Sequence, residues 1–108
     1  MTRDRWMLGD LHVATLVWED GDFPWAYGRI EPSPAFAGIE RCFVPSASGD
    51  RWLDDEALAG AGHPPSSSRL VGEDDADADA VYLHTLVLRD RGAASWRCGP
   101  EPLDLDPG

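Results

Sequence analysis

Between residues 18 and 27 the chain sets four large rings, Trp18, Phe23, Trp25 and Tyr27, around an acidic turn, Glu19-Asp20-Gly21-Asp22. Such rings are suited to recognition. They present wide, stiff faces to apolar groups, other rings and cations, and with arginine they dominate binding hot spots. Arg29 shares strand parity with Trp25 and Tyr27, so an extended segment presents all three on one face, opposite Ala26, Gly28 and Ile30. A second reading uses the same residues, because tryptophan and tyrosine also fill the cores of small domains. Sequence parity leaves open whether that face looks inward or outward.

The remaining reactive side chains form no recognised catalytic pattern. His12, His63 and His84 could each move a proton, and His84 could pair with Cys98 across a C-terminal hairpin as base and thiol. Nothing near Cys98 reads as a helix N-terminus that would activate it, and no nucleophile elbow, zinc-protease helix or glycine-rich phosphate loop is present. The run Glu73, Asp74, Asp75, Asp77, Asp79 begins like a calcium loop, but Ala80 stands where the turn glycine belongs and Leu86 where the bidentate acid belongs. A solvated acidic loop is the expectation, with no metal and no cofactor. Cys42 and Cys98 lack zinc-ligand spacing and are expected as free thiols.

Charge narrows the partners. At −11 with a pI near 4.4, the chain is a poor match for the phosphate backbone of nucleic acid. All nine basic residues are arginine, and lysine, asparagine and glutamine are absent, a composition expected of a GC-rich bacterial genome. No run of about 18 apolar residues occurs and Met-Thr-Arg-Asp-Arg opens no apolar leader core, so no membrane association and a cytoplasmic location are expected. The 108 residues suit one domain over 1–98, followed by an irregular acidic, proline-rich tail over 99–108.

The elements that must position these residues follow from periodicity and turn chemistry. Gly9-Asp10 separates two strand-like runs, Arg5 to Leu8 and Leu11 to Trp18, and Trp25 to Glu31 adds a third strand to the meander. Ser33-Pro34 reads as an N-cap and first helical residue, and Phe36, Ile39 and Phe43 recur at spacings that share a helical face, predicting a short helix through about Cys42 with Pro45 as its stop. Asp50 predicts the cap of a second helix over Arg51 to Ala59, closed by Gly60. Ala61 to Ser68 reads as loop, Arg69 to Gly72 as a short strand, and Ala80 to Arg89 with Ala93 to Cys98 as a hairpin across Asp90-Arg91-Gly92. Strict alternation in the long strand puts Tyr82, His84, Leu86 and Leu88 on one face and Val81, Leu83, Thr85 and Val87 on the other. The fold class expected is α+β: an antiparallel sheet of about five or six strands with one or two short helices inserted after the third.

Asp22-Phe23-Pro24-Trp25, Pro34-Ala35-Phe36, Leu83-His84 and Ala94-Ser95-Trp96-Arg97 together resemble a group of small uncharacterised proteins of GC-rich bacteria. The resemblance spans most of the chain, implies a free-standing domain and adds no catalytic residue. The residues themselves favour a protein-binding module, immunity- or inhibitor-like in kind, with Trp25, Tyr27, Arg29, Asp22 and His84 as the candidate binding set. Its partner would be another protein or a second copy of the chain. The alternative is a small-ligand domain or enzyme with an aromatic-walled pocket in which Arg29, Asp22 and His84 supply the polar contacts.

Overall fold

The computed structural model describes residues 2–21, 25–73 and 81–100. Asp22, Phe23, Pro24, the acidic stretch 74–80 and the tail 101–108 lie outside the described residues.

The chain opens as expected. Strands β1 (Thr2–Leu8) and β2 (Leu11–Asp20) pair antiparallel across Gly9-Asp10, where Gly9 takes the left-handed conformation the turn needs. Strand β3 (Trp25–Pro32) completes the meander against β2, with a register shift between Trp18 and Asp20. Gly28 sits at that irregularity. A Cβ there would run into the carbonyl oxygen of Val17, so only glycine lets the two backbones approach.

The two predicted helices are where the structure departs from the sequence reading. Residues Pro34–Gly38 and Glu40–Cys42 form two successive 3₁₀ turns, and the Ser33 hydroxyl donates to the His12 carbonyl at 2.6 Å instead of capping. The buried residues Phe36, Ile39 and Cys42 recur every three positions, which is the period of a 3₁₀ helix and not of an α-helix. Phe43–Pro45 (β4) and Arg51–Leu53 (β5) then form a small hairpin where the second helix was expected to begin. Among the described residues only Asp55–Gly60 (α1) is α-helical, and its cap is Asp54, whose carboxylate accepts the Glu56 N–H at 3.1 Å.

Strands β6 (Ser68–Gly72), β7 (Val81–Leu88) and β8 (Ala93–Gly99) follow, the last two across the expected turn at Asp90–Gly92. The pairing order β7-β6-β1-β2-β3-β8 returns to β7 through the β7–β8 ladder. This closes a six-stranded antiparallel barrel, with β4 and β5 appended, so the α+β class is replaced by a β-barrel. Closure depends on how β7 divides its edge. Val81 and Tyr82 pair with β6, whereas Val87 and Leu88 pair with β5.

A barrel of six strands is too narrow for a lumen and must be filled by side chains. Trp6 and Trp96 are the largest of the fully buried ones, joined by Leu16, Leu83 and Leu86. The Trp6 indole nitrogen donates to Ser68 Oγ at 2.9 Å, and its ring meets Phe43 edge-on at 6.4 Å. The strict alternation expected of β7 does not hold, because the register shifts between Leu83 and Thr85. Leu83, Leu86 and Leu88 therefore all join the core, while Val87 is buried on the outer side.

Candidate functional site

The parity of β3 places Ala26 and Ile30 against the core and turns Trp25 and Tyr27 outward. Both line a cavity of about 140 Å³ on the outside of the barrel, together with Asp50, Trp52, Val87, Arg89 and Ser95. These residues come from β3, β5, β7, β8 and the turns beside them. Ser95, on β8, is the register partner of Tyr27 on β3 and of Val87 on β7, so it forms the floor. The walls rise at the two sides, from β3 and β5.

Trp25 and Trp52 reach toward each other across β8 and β7. Their ring centroids lie 6.4 Å apart at an interplanar angle of 85°, an edge-to-face corner. The Arg97 guanidinium, opposite Trp25 in register, stands 5.8 Å from that ring's centroid. At the other end Arg89 faces the Asp50 carboxylate at 4.0 Å. Tyr27 is 40% exposed and Trp52 43%, while the Val44 side chain, across from Trp52 on β4, extends the apolar surface.

One polar atom in this cavity has no satisfied role. Ser95 is only 1% exposed, and among the described residues its Oγ finds no hydrogen-bond partner. The contrast is Ser68, equally buried, whose oxygen receives the Trp6 indole. Buried hydroxyls are rarely left alone, and one that lines a cavity points to something that enters it.

The expected binding set is brought together only in part. Trp25 and Tyr27 are at the cavity. Arg29 shares their face but pairs with Glu19 at 3.3 Å. Asp22 lies outside the described residues. His84 does not line the cavity; its ring packs on Gly99, where a Cβ would fall 2.7 Å from its Cε1. The charge of His84 is felt instead by Asp55, whose carboxyl burial and the Asp54 charge push up to about 6, with His84 pulling it down. Trp52, Asp50, Arg89 and Ser95 were not foreseen. Trp52 was hidden in a predicted helix, and Ser95 becomes a floor only when β8 lies between β3 and β7.

Two other hollows offer less. One of about 210 Å³ is lined by Asp4, Trp18, Ala26, Leu70, Val81, Trp96 and Cys98, where burial, then Glu73, raises the Asp4 carboxyl and burial, then Asp4, raises the Cys98 thiol. A thiol held protonated is a poor nucleophile, so a His84–Cys98 catalytic pair has no support. The other, about 490 Å³, is lined by Gly38, Arg41, Cys42, Ala57, Gly60, Ala61 and His63, with no tryptophan, tyrosine or phenylalanine. Among the described residues no group of three or more histidine, cysteine, aspartate or glutamate side chains could hold a metal, and both cysteines are free thiols. No helix there is long and apolar enough to cross a membrane.

No protein-family model, no curated protein and no solved structure matches the chain.

Proposed function

We propose that the chain is a protein-binding domain that docks its partner on the outer face formed by Trp25, Tyr27, Trp52 and Val44. The observation that carries this reading is the convergence of outward-facing aromatic residues, from strands separated by two others, on one small cavity. Of the five large hydrophobic residues exposed among the described residues, Tyr27, Val44 and Trp52 belong to this one surface, so the exposure is a patch and not a scatter. Tryptophan, tyrosine and arginine are also the residues that anchor protein interfaces.

Size favours the protein reading over the small-ligand one. Pockets for small molecules run to roughly 300–1,000 Å³. The aromatic cavity, at about 140 Å³, holds one side chain and not a substrate. The 490 Å³ hollow reaches this range but brings together none of Trp25, Tyr27 and Trp52, only Arg41, Cys42 and His63 among small residues. The partner also does not meet the overall −11 charge, because Arg29, Arg89 and Arg97 share this face with Glu19 and Asp50.

The test compares capture from a host lysate by the wild type, Trp52→Ala and Leu11→Ala, the last being an exposed residue that does not line the cavity. A partner identified in the wild-type eluate should bind Trp52→Ala at least about thirtyfold more weakly, the effect of a hot spot worth about 2 kcal/mol, and Leu11→Ala normally. Equal binding by all three folded proteins refutes the proposal.

A further inference from the structure

We infer that the cavity receives a tyrosine side chain of the partner, with its phenol hydroxyl bonded to Ser95 Oγ; this rests on the docking reading above. Four observations select the anchor in turn. The first is volume. A cavity of about 140 Å³ matches the ~150 Å³ space that holds one benzene molecule in an engineered protein core. A fused indole is larger than that.

Shape comes second. Trp25 and Trp52 make a near-perpendicular corner, so a third ring can meet one wall edge-on and lie offset on the other. Charge then excludes ionised anchors. A lysine or arginine would enter beside Arg89 and near the Arg97 guanidinium already placed over Trp25. Aspartate or glutamate would find its attraction to Arg89 offset by Asp50 and would leave the rings unused.

The last observation is the floor. Ser95 Oγ is buried, without a partner, and can both donate and accept. Phenylalanine or leucine would seal it in unsatisfied. A phenol hydroxyl is itself both donor and acceptor, so tyrosine supplies the six-membered ring, the neutral head and the missing hydrogen bond together.

The experiment follows the indole N–H signals of Trp25 and Trp52 by two-dimensional NMR while p-cresol, toluene or butylammonium is added to the full chain. p-Cresol should shift both signals and bind about fivefold more tightly than toluene, the worth of one net hydrogen bond. Ser95→Ala should abolish that preference without unfolding the protein, and Tyr→Phe at the partner's anchor should weaken the complex by a similar factor.

Equal affinity for p-cresol and toluene, preference for butylammonium, an unshifted pair of indoles, or an unchanged preference in Ser95→Ala overturns the tyrosine anchor. The two levels of the reading fail separately. Trp52-dependent capture without p-cresol binding sinks the anchor and leaves docking intact. p-Cresol binding with Trp52-independent capture sinks docking, and the partner's tyrosine with it.

Discussion

Ser68 and Ser95 are a matched pair that should respond to the same substitution in opposite ways. Each is 1% exposed and each sits on a barrel strand. Ser68 Oγ accepts the Trp6 indole N–H at 2.9 Å, whereas Ser95 Oγ has no partner among the described residues. Ser68→Ala leaves the N–H of a fully buried tryptophan without an acceptor, which costs about 1–3 kcal/mol. Ser95→Ala removes an orphan instead of creating one, so its effect should lie between zero and a gain of about 1 kcal/mol.

The two variants should therefore differ by roughly 1–4 kcal/mol, and for a domain near this size by about 4 °C or more in Tm. Urea denaturation measures the difference directly, and equal m-values would confirm that neither change alters the surface exposed on unfolding. Losses of the same size in both variants would refute the reasoning. A loss above about 1 kcal/mol in Ser95→Ala alone would show that its hydroxyl is bonded, for instance by an ordered water, in the free protein.

Three further perturbations test the fold and its charges. Gly28→Ala forces a Cβ into the Val17 carbonyl at the β2–β3 irregularity and should destabilise the barrel by at least about 3 kcal/mol, read by urea denaturation. Arg91 holds φ 63°, so Arg91→Gly should raise stability by about 0.5–1 kcal/mol; a loss would mean the arginine side chain makes a compensating contact. Asp55 binds its proton more tightly folded than unfolded, with its carboxyl pushed up to about 6, so its contribution to stability falls as pH rises from about 4 to about 6. Asp55→Asn should be more stable than the wild type at pH 7 and lose that advantage toward pH 4; an advantage independent of pH would refute the assignment.

The strands were legible in the sequence because their signals are local. Gly9-Asp10 and Asp90-Arg91-Gly92 mark turns, and the runs beside them alternate, so both hairpins appear where expected. The helices misled for equally local reasons. Ser33-Pro34 is a sound helix start, but the next buried positions repeat at three, and the chain winds as 3₁₀ turns. Arg51-Trp52-Leu53 carries no strong strand signal, and its pairing with Phe43–Pro45 is what makes it extended. Barrel closure was not legible at all. It depends on β7 sharing one edge between two partners, a long-range fact that no window of sequence contains. The site inherits that limit: Trp25 and Tyr27 could be named from parity, whereas Ser95 and Trp52 could not.

The appended hairpin makes more sense as part of the site than as part of the barrel. Closure needs only β6 against Val81 and Tyr82 and β8 along the opposite edge of β7. The interior is already filled by Trp6, Trp96 and the leucines around them, so the proposed docking falls to an outer surface. A smooth outer wall of a small barrel is convex and offers no enclosed volume. β5 changes this by continuing the sheet past β7 and raising Trp52 opposite Trp25, which turns the strip over Ser95 and Val87 into a walled cavity. Its companion residues fit the same role, since Asp50 and Val44 flank Trp52 at the rim while Phe43 and Leu53 tie the hairpin into the core. On this argument Trp52→Ala should open the cavity while leaving the barrel ladder and its stability nearly unchanged, whereas Leu53→Ala should cost about 2–5 kcal/mol and weaken both. A Trp52→Ala variant that loses as much stability as Leu53→Ala would show that the hairpin serves the core first and the site only by accident.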